Sequence, residues 1–180
     1  MAIIKPNNNT LSAITALPAA IPTGKVLQVV NGVSTTKQSS RSTTHADVSG
    51  LSATITPASS SNKILVLVDV NMVSNASGSG STVKLLRDST VVTKTTTSGA
   101  NATAEAFNAG GGKTGTDPNR QKDTCTLSFL DSPSSTSALV YKVQFATTSS
   151  SNAAYVNGWG LNDDQASVST ITVMEIAAWL

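Results

Sequence analysis

The feature that most constrains the fold of this chain is its longest mainly apolar run, ILVLVDVNMV at residues 64–73. Because the side chains of a β-strand alternate between two faces, this run places five apolar side chains on one face. They are Ile64, Val66, Val68, Val70 and Met72. A face so uniformly apolar predicts a central strand that lies against a hydrophobic core.

The opposite face of the same strand begins with Leu65 and Leu67 and turns polar only at Asp69 and Asn71. In a sheet with one face in water, the outward positions are normally polar along the whole strand. We therefore expect a loop or another subunit to cover the two leucines. If it is another subunit, Leu65 and Leu67 form the oligomer interface.

Shorter alternating segments surround this strand at intervals marked by turns. Residues 51–56 alternate and stop at Pro57, so the segments 51–56 and 63–73 are predicted to form an antiparallel pair with a tight connection. Further strands are predicted at residues 25–30, 42–48, 82–86, 90–97, 124–130, 139–147 and 168–176, with an Asn-Gly turn at 31–32 and a long loop at 98–122. Roughly eight strands without a long helix predict an all-β fold, an antiparallel two-sheet sandwich of the jelly-roll type.

Residues 1–22 differ from the rest of the chain. Leu11, Ile14 and Leu17 are spaced to make one apolar stripe on a short helix, and the prolines that follow favour an extended path. So few apolar residues cannot fold alone. We predict an N-terminal arm that docks on a neighbour through these three side chains, followed by one β-sandwich domain at residues 23–180.

Composition excludes several classes of function. Charged residues make up 12% of the chain, and the formal net charge of +2 comes from scattered Lys and Arg. Nucleic-acid binding and membrane-surface binding both need a concentrated basic patch, so neither is predicted. No apolar stretch approaches the ~20 residues that span a bilayer, which predicts no membrane insertion. The single cysteine, Cys125, cannot form an intrachain disulfide and has the sequence context of a small core residue.

No motif predicts a catalytic, cofactor or metal site. The GGGKTGTD segment at residues 110–117 lacks the earlier glycine, the leading strand and the following helix of a phosphate loop. His45 and Asp47 would share a face of an extended segment, but no nucleophile elbow accompanies them. Asp163 and Asp164 fit no calcium loop, and one histidine with one cysteine makes a zinc site implausible within one subunit.

Glu175 is the one acidic residue with an unusual setting. It lies in the last predicted strand between the apolar residues Val173 and Ala177. A carboxylate placed there needs a partner, because burying an unpaired charge is costly. Lys142, Arg87 or a neighbouring subunit is expected to supply that partner, and the role of Glu175 is predicted to be structural.

Four segments also carry a resemblance. TITPASSSNKILVLV (residues 54–68), LVYKVQF (139–145), STITVMEIAA (169–178) and the opening IKPNNNTLSAITALPAAI (4–21) are similar to a group of small β-rich virion proteins of tailed bacteriophages. These proteins are often labelled tail-fibre or surface-appendage proteins and are frequent in phages of marine bacteria. The motifs are structural rather than catalytic.

The resemblance implies a non-enzymatic structural protein of the virion, assembled in the host cytoplasm as a homotrimer. Its partners would be copies of itself and a capsid, portal or tail component that receives the arm. A single sandwich with a short arm cannot provide a long shaft. A head decoration, cement or short appendage protein is therefore expected rather than a complete tail fibre.

Two alternatives stay open at this point. One is a receptor-binding tip that recognises host surface glycan through the long loop and two aromatic side chains, with Asn101, Tyr155 and Trp159 as candidate contacts. The other is a glycan-degrading enzyme, which would require paired carboxylates facing each other across a groove.

Overall fold

The computed structural model describes residues 25–74, 80–93, 108–110, 121–158 and 166–178. Within these ranges the chain forms eleven strands and no helix. The strands are β1 (Val26–Ser34), β2 (Gln38–Ser40), β3 (Ala46–Ile55), β4 (Lys63–Ser74), β5 (Ser81–Arg87), β6 (Thr90–Val91), β7 (Asn108–Gly110), β8 (Gln121–Asp131), β9 (Leu139–Thr147), β10 (Ala154–Val156) and β11 (Ser169–Ile176).

The strands form two antiparallel sheets. In the first, called the β4 sheet, β4 lies at the centre with β8 along one edge and β11 along the other, and β1 pairs with the outer edge of β11. The short strand β10 pairs with the far end of β4 and with β2. In the second, called the β9 sheet, the order is β3-β9-β5, and β6 and β7 pair with different ends of β5.

Successive long strands of the chain alternate between the two sheets, as in a jelly roll. β1, β4, β8 and β11 belong to the β4 sheet, whereas β3, β5 and β9 belong to the β9 sheet. The chain therefore passes from one sheet to the other between each long strand and the next, and the long strands that pair are not consecutive in sequence. The predicted fold class, an antiparallel two-sheet sandwich of the jelly-roll type, is confirmed.

The predicted pairing of residues 51–56 with residues 63–73 is wrong. β3 pairs with β9, and β4 pairs with β8 and β11, so the turn at residues 57–62 carries the chain from one sheet to the other. The buried side chains of both strands face the common core. Alternation alone cannot distinguish such a corner from a hairpin, because both give the same pattern of buried and exposed residues.

The predicted turn at residues 31–32 is also wrong, because β1 continues through it to Ser34. A side chain at Gly32 would place its Cβ only 2.1 Å from the carbonyl oxygen of Ser52 on β3. Glycine at this position therefore allows the two sheets to approach each other closely at their shared edge. The glycine that predicted a turn here is instead required by the close approach of the β1 and β3 backbones.

The remaining differences are in short strands. β2, β7 and β10 have three residues each and were not predicted, and the predicted strand at residues 42–48 is replaced by β2 and the beginning of β3. β6 consists of the first two residues of the predicted strand at 90–97, and it pairs with β5. The predicted long loop at 98–122 contains β7 and the beginning of β8, and its other residues lie outside the described ranges.

The core is aliphatic, as the composition predicts. The five inward side chains of β4 are all buried, and those of β3, β5, β9 and β11 meet them across the sandwich. Cys125 on β8 is buried in this core, which confirms its predicted place. Among the residues that the structure describes, Tyr141 on β9 is the largest fully buried side chain.

Candidate interaction surface

The outer face of the β4 sheet carries a row of four apolar side chains. The pairing of β1 with β11 places Val29 beside Met174. Met174 in turn lies beside Leu65 of β4, and Leu65 lies beside Leu130 of β8. These four residues, called the apolar row below, cross four neighbouring strands at one level of the sheet.

Much of this row is in contact with solvent. Val29 is 57% exposed and Leu130 is 56% exposed, and Leu67, one level further along β4, is 37% exposed. Single exposed apolar residues are normal on protein surfaces, but a contiguous group of them marks an interaction site. The structure places Leu65 and Leu67, the predicted oligomer interface, within such a group, and no segment of the described residues covers them.

The same face carries little charge. Among the outward side chains that the structure describes on its four long strands, only Lys63 and Asp69 are charged. The outer face of the β9 sheet is different, because there Asp47 accepts hydrogen bonds from Lys142 at 2.9 Å and from Gln144 at 2.6 Å. The outer face of the β9 sheet thus carries charged side chains that favour contact with water. The outer face of the β4 sheet instead combines apolar side chains with neutral hydroxyl groups.

A shallow depression of about 450 Å³ lies next to the apolar row. Its floor and rim are formed by Leu67, Val68, Asp69, Thr126, Leu127, Ser128, Thr170 and Thr172. Hydroxyl groups of β8 and β11 therefore flank one leucine and one carboxylate of β4. This lining suits a polar or cationic side chain, because the carboxylate and the hydroxyl oxygens can accept hydrogen bonds.

Glu175 is fully buried, and its predicted partners are wrong. The carboxylate accepts hydrogen bonds from the side-chain amides of Asn62 (2.5 Å) and Gln28 (2.6 Å) and from the backbone N–H of Ala58 (2.7 Å). Burial raises the pKa of this group, but the hydrogen bonds outweigh burial and hold the pKa below its usual value. Neutral donors from β1 and from the corner before β4 thus replace the cation that was expected, and the role is structural.

Arg87, one of the partners expected for Glu175, binds another carboxylate. Its guanidinium lies 2.6 Å from Asp131, which also accepts a hydrogen bond from the hydroxyl of Tyr141 at 2.7 Å. Burial and the neighbouring Asp131 carboxylate raise the pKa of Tyr141. The cluster joins β5, β8 and β9 at one end of the sandwich, so this carboxylate too is engaged in holding the fold together.

His45 and Asp47 are engaged separately. His45 precedes β3, and its Nε2 lies 2.8 Å from the hydroxyl oxygen of Thr82 on β5. Asp47 instead contacts side chains of β9, as described above. Each of the two residues is therefore held by a different strand of the β9 sheet.

Sequence reasoning missed the buried polar residue Asn157. Its side-chain amide donates to the carbonyl oxygen of Ser34 at 2.8 Å, and its Oδ1 accepts from the hydroxyl of Ser169 at 2.6 Å. Asn157 has a positive φ of 58°, a conformation that asparagine tolerates better than most residues. The Asn-Gly dipeptide at 157–158 was the available sequence signal of this conformation.

Tyr155 is the one candidate glycan contact that the structure describes. It lies half-buried on β10, in register with Ser39 of β2 and with residue 73 of β4, on the same outer face as Leu65 and Leu67. Asn101 and Trp159 lie outside the described residues, as do Leu11, Ile14 and Leu17 of the predicted arm. Asp163, Asp164 and residues 111–117 of the glycine-rich segment lie outside them as well.

The described ranges contain no group of three or more His, Cys, Asp or Glu side chains arranged to hold a metal ion. No helix long and apolar enough to cross a membrane occurs in that part of the chain.

Comparisons with known proteins place the chain in no family. No family model matches it, and no curated protein sequence matches it. Among solved structures it is similar to infectious bursal disease virus Gt strain (TM-score 0.44, 14% identity, 84% of this chain and 38% of that one). The structure of the Gx strain of the same virus gives a TM-score of 0.41 at 15% identity, over 84% of this chain and 37% of that one.

A third solved structure is a mutant VP2 protein of infectious bursal disease virus in derived T=1 particles, with a TM-score of 0.41 and 16% identity. The similarity covers 84% of the chain described here and 37% of the VP2 chain. The chain described here therefore spans less than two fifths of the length of these viral proteins.

Proposed function

We propose that the protein is a non-enzymatic structural protein of a tailed-phage virion, displayed at the particle surface as a decoration, cement or short appendage. The observation that carries this proposal is the apolar row on the charge-poor outer face of the β4 sheet. A face of this kind fits a protein that works by packing against copies of itself. Oligomers of one chain usually close by symmetry, and the resemblance to phage virion proteins implies a threefold arrangement.

The placement of the resembling segments is consistent with such a role. Residues 54–68 form the end of β3, the corner and half of β4, whereas residues 139–145 and 169–178 form most of β9 and β11. The resemblance thus follows the central strands of the jelly roll. The buried carboxylates of Glu175 and Asp131 accept hydrogen bonds from neighbouring side chains of the fold. This engagement supports a structural rather than a catalytic role for them.

The N-terminal arm is proposed to attach the sandwich to a capsid, portal or tail component. The proposal rests on the spacing of Leu11, Ile14 and Leu17 in the sequence. Burying each of these side chains is worth about 1.5–3 kcal/mol, which offsets part of the cost of ordering a short segment. The described strands share one continuous hydrophobic core, so the sandwich is expected to fold without the arm.

Removal of residues 1–22 tests whether the arm is needed for attachment to the particle but not for folding. Protein that begins at Thr23 is expected to fold and self-associate like the full chain, but to fail to join particles that lack the native protein. The measurement is incorporation into such particles after mixing, followed by sedimentation and immunoblotting. The full chain is the positive control.

Incorporation of the truncated protein at the normal level would contradict the arm as the anchor. Failure of the full chain to join any particle would contradict the virion role itself.

A further inference from the structure

We infer that the outer face of the β4 sheet packs against the same face of a second copy of this chain, with the two β4 strands antiparallel about a twofold axis. This inference rests on the proposed self-association, but it gives that association a twofold arrangement in place of the threefold one that the resemblance implies. It also names the two side chains that select the arrangement, Lys63 and Asp69.

The charges on β4 are arranged symmetrically. The outward positions along the strand read Lys63, Leu65, Leu67 and Asp69, with Val66 at the midpoint. Lys63 and Asp69 each lie three residues, about 10 Å, from that midpoint. A twofold axis that crosses the strand at this level places Lys63 of one copy over Asp69 of the other, and symmetry repeats the pair.

The alternative twofold axis is disfavoured by the same charges. An axis that runs along β4 would place the two copies of Lys63 over each other, and likewise the two copies of Asp69. Like charges that face each other in a partly dehydrated contact repel, whereas opposite charges give complementarity and fix the register. The charge pattern therefore selects the antiparallel arrangement.

Both charged groups lack an ionic partner in the described part of the chain. Lys63 donates to the hydroxyl of Ser132 at 2.8 Å, which leaves the ammonium group two further hydrogens. Asp69 is exposed at the depression, between Thr126 of β8 and Thr170 of β11. The depression can therefore receive the Lys63 side chain of the second copy beside Asp69, with hydroxyl groups on both sides.

The same operation also covers the exposed apolar side chains. Leu65 of one copy lies over Leu67 of the other, so four leucines meet around the axis. At the edge of the sheet, Val33 is in the row of Asp69 and Val26 is in the row of Lys63, and both valines are exposed. The axis brings each Val33 over a Val26. Facing sheets lie about 10 Å apart at a small angle, so the side chains can interdigitate.

The available area is sufficient for a specific contact. Four strands spaced about 4.8 Å apart, each contributing about eight residues, give a face of about 500 Å² per copy. Two such faces remove about 1,000 Å² in total, which is near the lower limit for a specific interface. A moderate affinity, sensitive to single charges, is therefore expected.

A charge exchange tests the geometry with the full chain. Lys63→Asp and Asp69→Lys are each expected to raise the dissociation constant for self-association at least tenfold, because each places like charges opposite each other. The double variant Lys63→Asp/Asp69→Lys restores opposite charges and is expected to return the constant to within threefold of the wild-type value. Analytical ultracentrifugation over a concentration series measures these constants and the stoichiometry, and circular dichroism checks the fold.

Lys84→Asp, on β5 of the other sheet, is the charge-matched control and is expected to leave the association unchanged. A double variant that associates no better than the weaker single variant would overturn the inference. So would a trimer, which supports the threefold arrangement, or a monomer, which indicates that residues 1–24 or another partner cover the face. Association that is lost in Leu67→Arg but insensitive to the charge exchange would overturn this geometry and leave the proposed self-association intact.

Discussion

Replacing Glu175 by alanine is expected to lower the free energy of unfolding by about 3 kcal/mol. The substitution removes a buried carboxylate that accepts hydrogen bonds from Asn62, Gln28 and the backbone N–H of Ala58. These donors belong to β1 and to the corner between the two sheets. Loss of the carboxylate leaves the buried side-chain amide of Asn62 without its acceptor, whereas Gln28 keeps its hydrogen bond to the carbonyl oxygen of Thr56. Denaturant unfolding followed by circular dichroism measures the loss.

A surface carboxylate provides the control for this variant. Asp47 also accepts two side-chain hydrogen bonds, but its side chain is 52% exposed. Asp47→Ala is therefore expected to cost less than about 1 kcal/mol. Equal costs for the two alanine variants would show that the buried position of Glu175 has no special importance.

The contribution of Glu175 to the free energy of unfolding is expected to decrease as the pH falls. Since its pKa in the folded protein lies below the usual 4.5, the folded state favours the ionised form more than the unfolded chain does. The stabilisation is complete above the unfolded pKa and is lost as the pH falls through the folded pKa. The difference in Tm between wild type and Glu175→Ala should therefore narrow as the pH falls below 4.5. A difference that widens on acidification would contradict this assignment.

The second large effect is expected at Asn157. Asn157→Ala removes hydrogen bonds to Ser34 and Ser169 in a fully buried site and places alanine at a positive φ. We expect a loss of about 3 kcal/mol, because each unpaired buried group costs about 1–3 kcal/mol. Asn157→Gly keeps the backbone conformation accessible, so the difference between the two variants isolates the backbone contribution.

The hydrogen-bond network explains why this site matters. The Ser34 hydroxyl donates to the carbonyl oxygen of Ser49, and the Ser169 hydroxyl accepts from the backbone N–H of Asn71. Asn157 therefore links β1, β3, β4 and β11 through two serines. Asn152→Ala, in the turn before β10, is the matched control and should change stability by less than about 0.5 kcal/mol. A similar small change for Asn157→Ala would show that the network does not stabilise the fold.

The local alternation of apolar and polar residues predicted the individual long strands well. β9 has the predicted bounds, and β4 buries the five side chains assigned to the core. The pairing of the strands was not predictable in this way. A hairpin and a corner between sheets leave the same local pattern, so the segments at 51–56 and 63–73 were paired wrongly.

The polar sites were harder to predict because their partners are distant in sequence. Glu175 was expected to need a cation, but Asn62, its partner 113 positions earlier in the chain, is a neutral amide. Ser and Asn are so frequent here that no single one of them signals a buried donor. The outward leucines of β4 were the exception, since apolar residues on the outer side of a strand contradict the pattern of a solvent-facing sheet.

The oligomeric mass of a Leu67→Arg variant tests the central claim, that the outer face of the β4 sheet is covered in the assembled protein. An arginine there would place an unpaired charge in the contact and weaken assembly by several kcal/mol. Light scattering after size-exclusion chromatography is expected to show an oligomer for the wild type and a folded monomer for the variant. Thr54→Arg, on the outer face of β3 in the other sheet, should remain oligomeric. A Leu67→Arg protein with the oligomeric mass and Tm of the wild type would contradict the claim.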